Sequence, residues 1–116
     1  MHELSIAEEI LTTAKSHGGP GRRITRIEVA IGPFSGVVRE SLEFCFELAA
    51  KHFGMENAKL SIAQLTAEAT CPACGNNSRV DNMWTVCAAC GHSPLTVKGG
   101  RELRVDRLTI EEDEHV

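Results

Sequence analysis

Four cysteines stand in a pattern with definite chemistry: Cys71-Pro72-Ala73-Cys74, twelve intervening residues, then Cys87-Ala88-Ala89-Cys90. Each C-x-x-C turn lets two sulfurs face one point. Gly75 and Gly91 follow the two pairs, and a positive φ there turns backbone N–H groups back toward the thiolates. Two such knuckles supply the four soft ligands of a tetrahedral zinc site. Their separation is shorter than the roughly 15–20 residues of the common frame, but the pattern belongs to the same zinc-ribbon class. Disulfides or a dithiol redox pair would use the same residues. Two knuckles bracketing a segment without periodic apolar residues favour a metal over both. Iron in a rubredoxin-like site takes the same ligand set. Four protein ligands leave no position for water, so such an ion stabilises rather than catalyses.

The second candidate is Met1-His2-Glu3. A histidine next to a free α-amine can chelate through the imidazole, the Met1 amine and the intervening backbone nitrogen. Ni(II) and Cu(II) favour such nitrogen-rich, square-planar sets. The plainer reading is a solvated histidine at a frayed end. Other histidines carry less: His17 falls in a glycine-rich loop, His115 in an acidic tail, and His52 closes a helix, where an imidazolium suits the dipole. His92 follows the second knuckle; an ordinary loop histidine is the plainer reading, and a contact that tunes the zinc ligands the alternative. The fifth cysteine, Cys45, reads as a small buried hydrophobe.

These groups need a scaffold. Leu4 to about Lys15 predicts an amphipathic helix, with Leu4, Ile6, Ala7, Ile10, Leu11 and Ala14 at helical spacing. Ser5 and Glu8 fit a capping box, and Gly18-Gly19-Pro20-Gly21 ends the segment. Ile24 to Ile31 alternates, with Ile27, Val29 and Ile31 on one face and Arg26, Glu28 and Ala30 on the other, as in a half-buried strand. A second helix runs from about Arg39 to Phe53 on a stripe of Leu42, Cys45, Phe46, Ala49 and Phe53, with Gly54 as its cap glycine. Lys59 to Gln64 is a short strand. Leu103 and Val105 begin a last strand, and the change of parity before Leu108 and Ile110 predicts a bulge or bend. The tail from Glu111 to Glu114 reads as solvated. The fold class expected is α+β: a small sheet of about three strands packed with two helices, plus an inserted zinc-ribbon-like module. The division expected is 1–66 with 101–116 as the α+β domain and 67–100 as the zinc module.

Composition narrows the function. The 116 residues carry a net charge of -4 without a basic run, so the clustered Lys and Arg of a nucleic-acid interface are lacking. One Trp, four Phe and no Tyr offer no platform for stacking bases. A zinc ribbon that binds nucleic acid, the main alternative from another class, would need a basic surface and would bind with strong salt dependence. No basic segment followed by an apolar one opens the chain, and no stretch approaches the roughly 18 apolar residues of a membrane span. The expectation is a soluble cytoplasmic protein without membrane partners. No nucleophile–base constellation is present, so an enzyme is not expected.

The whole-chain pattern resembles the HypA/HybF family of hydrogenase nickel-incorporation proteins. The resemblance rests on Met1-His2-Glu3-Leu4-Ser5-Ile6, Ile31-Gly32-Pro33-Phe34-Ser35-Gly36-Val37, Glu40-Ser41-Leu42-Glu43-Phe44-Cys45-Phe46-Glu47, the two knuckles and Gly100-Arg101-Glu102-Leu103. It implies a metallochaperone that takes Ni(II) and helps insert it into the large subunit of [NiFe]-hydrogenase, working with a nickel-binding GTPase and, in some organisms, serving urease maturation. It implies nickel at His2 with nearby backbone nitrogens, including the Met1 amine, and Glu3 in support. Glu40 stands where some members carry an acidic residue near the nickel. The implied zinc ligands are Cys71, Cys74, Cys87 and Cys90. A scaffold that recruits the GTPase without carrying nickel is the third reading. One departure, the polar stretch Lys59-Leu60-Ser61-Ile62-Ala63-Gln64, touches no ligand.

Overall fold

The computed structural model describes residues 3–19 and 22–112. Met1, His2, Pro20, Gly21 and residues 113–116, including His115, lie outside the described residues. Among the described residues eight elements follow in order: α1 (Glu3–Gly18), β1 (Arg22–Ile31), α2 (Arg39–His52), β2 (Lys59–Gln64), β3 (Ala67–Thr70), β4 (Asn77–Val80), β5 (Thr96–Lys98) and β6 (Leu103–Glu112). They form two three-stranded sheets, ordered β2-β1-β6 and β4-β3-β5. The fold is α+β, as expected.

The chain divides into two units. The first comprises Met1–Val29, Val37–Ala63 and Arg104–Val116. Its core comes from α1 (Ile6, Ala7, Ile10, Leu11, Ala14), β1 (Ile24, Ile27, Val29) and α2 (Leu42, Phe46, Ala49, Ala50), all buried. Spacings of three and four place each helical set on one stripe. Fully buried side chains such as Leu11, Ile27 and Leu42 each contribute about 1.5–3 kcal/mol by leaving water. Among the described residues no polar or charged side chain is buried.

Four expectations need correction here, those for Leu4, Cys45, Ser5 and Ala30. Leu4 is half exposed and Cys45 only half-buried. At 3.6 residues per turn each lies about 90° round its helix from the centre of the buried stripe, at its margin. Ser5 does not cap α1, because the helix already begins at Glu3. Near β6, Gly32 N–H donates to the Glu102 carbonyl, Thr25 Oγ1 to the Thr109 carbonyl, and Arg23 pairs with Glu111; along the strand Val105, Leu108 and Ile110 are half-buried. In β1, Ala30 is buried along with Val29 and Ile31, so this end of the strand is covered on both faces.

The second unit comprises Ala30–Gly36 and Gln64–Leu103. Its sheet is antiparallel, with Ala67 opposite Val80 and Thr70 opposite Asn77 on one side of β3, and Glu68 opposite Lys98 and Thr70 opposite Thr96 on the other. Ala67 and Ala69 alternate inward and meet Val80, with Phe34, Leu95 and Val97 packed around them. Gly32 and Gly100 permit a close backbone approach. Phe34 N–H donates to the Gly100 carbonyl at 2.6 Å, and a Cβ at Gly32 would collide with the Gly100 backbone and the Glu102 carboxylate.

Candidate metal centre

The first knuckle is the loop of the β3–β4 hairpin. Cys71 directly follows β3, its N–H donates to the Asn76 carbonyl at 2.9 Å, and Gly75 N–H donates back to the Cys71 carbonyl at 2.8 Å. The second knuckle repeats the arrangement. Cys87 N–H donates to the His92 carbonyl at 2.9 Å and Gly91 N–H to the Cys87 carbonyl at 2.8 Å. Gly75 and Gly91 hold φ values of 78° and 76°, a conformation costly for any residue with a Cβ. That is the physical reason for a glycine after each pair.

The two knuckles bring four sulfurs together. All four Sγ atoms lie within 4.8 Å of one another. Cys71 and Cys90 approach to 3.6 Å, as do Cys74 and Cys87. A tetrahedral ion with sulfur at about 2.3 Å has S···S edges of about 3.8 Å, so the set fits a zinc-sized ion. The thiols are free, and 3.6 Å is far beyond the roughly 2.05 Å of a disulfide. The first cysteine of each knuckle is buried and the second exposed.

Proton sharing within the cluster is uneven. The Cys90 backbone N–H draws the Cys87 thiol down to about 6, against its burial. Burial opposes ionisation of Cys71, but the Cys74 and Ala73 N–H groups outweigh it and leave this thiol below its usual value. Cys74 and Cys90 accept help from the Asn76 and His92 N–H groups, respectively. The neighbouring thiols outweigh that help, raising Cys74 and pushing Cys90 up to about 12. Cys87 is thus poised as a thiolate, Cys71 is shifted in the same direction, and Cys74 and Cys90 hold protons that a cation can displace. The part His92 plays is through its backbone, which the sequence readings did not foresee; its ring is exposed.

The nickel residues expected from the sequence fall differently. Met1 and His2 lie outside the described residues. The Glu3 carboxylate accepts a hydrogen bond from Val38 N–H at 3.2 Å. Val38 is the N-cap of α2 and supplies no side-chain cap of its own. Glu3 therefore places a negative charge at the positive end of α2. Glu40 stands exposed in the first turn of that helix. The start of α1 and the start of α2 are thus tied together, a contact across 35 residues that no local pattern announces.

Comparison with known proteins gives consistent results. Residues 1–110 match the family described as hydrogenase/urease nickel incorporation, metallochaperone, hypA. The chain is 38% identical to the hydrogenase maturation factor HypA of Geobacter sp. (strain M21), over 96% of this chain and all of that one. It is 39% identical to the protein of the same name from Chlorobaculum tepidum, with the same coverage. Among solved structures, the solution structure of the Ni metallochaperone HypA from Helicobacter pylori superposes with a TM-score of 0.65 at 22% identity, covering 97% of this chain and all of that one. That likeness bears on the fold.

Proposed function

The chain belongs to the HypA family of hydrogenase/urease nickel incorporation metallochaperones, and from that premise we propose that it binds Ni(II) at its N-terminus and helps insert it into the large subunit of [NiFe]-hydrogenase. The observation that carries the reading is the family match over residues 1–110, which takes in the N-terminal Met1-His2-Glu3. In this reading the nickel is cargo. His2 and the Met1 amine, with intervening backbone nitrogen, hold it; Glu3 supports the site, and Glu40 stands beside it. The bond from Val38 N–H to Glu3 supports placing Glu3 and Glu40 in one neighbourhood. Cys71, Cys74, Cys87 and Cys90 hold a structural zinc ion, which supplies cross-linking and no chemistry.

Delivery is an exchange reaction. Borderline nitrogen ligands suit Ni(II) but yield it to an acceptor rich in thiolates. Binding weakens as pH falls, because the imidazole and the amine must be deprotonated to ligate. The partners proposed are a nickel-binding GTPase of the maturation pathway and the hydrogenase large subunit, with urease maturation proteins as further acceptors, all in the cytoplasm. No described helix is long and apolar enough to cross a membrane. A metallochaperone needs no turnover of its own, and we assign it none. The test is nickel titration of a His2→Ala variant. It should lose specific nickel binding and keep one equivalent of zinc; unchanged nickel affinity would overturn the assignment.

A further inference from the structure

The four cysteines fall into two close pairs, and both pairs cross from one knuckle to the other. Cys71 and Cys90 stand 3.6 Å apart, and so do Cys74 and Cys87. Each pair joins a buried cysteine to an exposed one. Cys71 and Cys87 are 2% and 3% exposed, while Cys74 and Cys90 face solvent. An accessible sulfur with a second sulfur beside it is the arrangement of a redox-sensing cysteine. The first meets the oxidant and the second resolves the product. All four thiols are free to react in this way.

The two pairs are nested along the chain, with Cys74 and Cys87 between Cys71 and Cys90, so both bonds can form together. Each needs its sulfurs to close from 3.6 Å to about 2.05 Å. The knuckle backbones need not open for this. Cys71 stays tied to Asn76 and Gly75, and Cys87 to His92 and Gly91. Pairing matters because the apolar core of this unit is small, only Ala67, Ala69 and Val80 with their half-buried neighbours. So small a core needs a cross-link. A disulfide within each C-x-x-C would close the knuckles separately and sever the link between them. Disulfides across the knuckles would keep that link without a metal.

We propose that the cysteine cluster is a reversible redox switch: hydrogen peroxide converts its thiolates into the disulfides Cys71–Cys90 and Cys74–Cys87, and the module stays folded without its zinc. The inference rests on the zinc reading given above and is independent of the nickel site. The exposed sulfur of Cys74 or Cys90 attacks one peroxide oxygen. The O–O bond breaks, hydroxide leaves and a sulfenic acid forms. The thiolate of the buried partner then attacks that sulfur, forms the S–S bond and expels a second hydroxide. Each disulfide thus takes two electrons from two thiolates and consumes one peroxide. The two disulfides remove all four ligands from the ion, which leaves as the hydrated dication. A dithiol reductant restores the thiolates by exchange, and with them the metal site.

The test uses the zinc-loaded, full-length wild-type protein, titrated with hydrogen peroxide and then alkylated with N-ethylmaleimide. One zinc should leave for about two peroxides consumed. Arg79 is the only Lys or Arg between the knuckles, so trypsin parts them unless a disulfide crosses. The two cysteine peptides should stay linked, and fragmentation should place the bonds at Cys71–Cys90 and Cys74–Cys87. The oxidised, metal-free protein should keep the amide protection of β3, β4 and β5 that a chelator removes from the reduced protein. Dithiothreitol with added zinc should restore one bound ion. Peptides that separate at Arg79, each with an internal disulfide, overturn the proposal, as does a Cys71–Cys87 or Cys74–Cys90 bond. Sulfinic acids in place of disulfides overturn it too. A protein that binds no zinc overturns the zinc reading and the switch with it; metal analysis before oxidation separates that failure from a wrong pairing, which the peptide map alone reads.

Discussion

Zinc binding to the four cysteines should release fewer protons than four ordinary thiols would. Thiols with the usual value of 9.0 are almost wholly protonated at pH 7, and four of them would yield about four protons per ion. In this site Cys87 sits at about 6, so it is already about nine-tenths thiolate at pH 7. Cys90, at about 12, contributes one proton, and so does Cys74, whose value is raised. Cys71, lowered from its usual value, contributes at most one. The sum is about two to three protons at pH 7, and the logarithm of apparent affinity should fall by about the same number per pH unit. Protons compete with the ion for the same lone pairs, so affinity drops as pH falls. Below pH 6 Cys87 also protonates in the free site and the slope should steepen toward about four. Calorimetry of zinc binding in buffers of different ionisation enthalpy counts these protons directly. Release of four at pH 7, with no change of slope near pH 6, would refute the assignment of Cys87 as a standing thiolate.

Other outcomes follow from packing. Gly100→Ala forces a Cβ at φ +89° to within 2.5 Å of the Phe34 ring and 3.0 Å of Ala67. Left-handed strain and overpacking together should destabilise the second unit by about 2–5 kcal/mol in urea unfolding; a change under about 0.5 kcal/mol would count against the close approach. Leu11→Ala, at a fully buried position of the first unit, should cost about 2–5 kcal/mol while leaving zinc stoichiometry intact. Stripping the metal with a chelator should release amide protection in β3, β4 and β5, whose apolar core is only Ala67, Ala69 and Val80 with their half-buried neighbours, while α1 and α2 keep theirs. Uniform loss of protection in both units would contradict that.

The first unit was legible because apolar residues repeat at helical spacing over α1 and α2 and at alternate positions in β1. Leu4 and Cys45 misled only because spacing cannot separate the centre of a stripe from its margin. The helix boundary at Glu3 was missed because Ser5 and Glu8 imitate a cap. The small sheet was invisible for a different reason. Its strands are three or four residues long, and only Ala67, Ala69, Val80 and Val97 mark their inward faces. Alanines in so short a run give no periodic signal. The Cys quartet was legible from spacing alone, down to the glycines that follow each pair. The placement of Ala30–Gly36 in the second unit rests on backbone bonds from Gly32 and Phe34 to Glu102 and Gly100, for which the sequence offers only two glycines as a sign. Glu3 and its bond to Val38 are of the same kind, a long-range contact made to a backbone group.

In the reading proposed here the N-terminus carries the exchangeable nickel and the cysteines do not. The deciding measurement is nickel titration of the zinc-loaded protein with its α-amine free and then acetylated. One tightly bound Ni(II) is expected for the free amine, at least about tenfold weaker binding after acetylation, and an unchanged single zinc ion in both. Equal nickel affinity in the two forms, or nickel that enters only as zinc leaves, would contradict it.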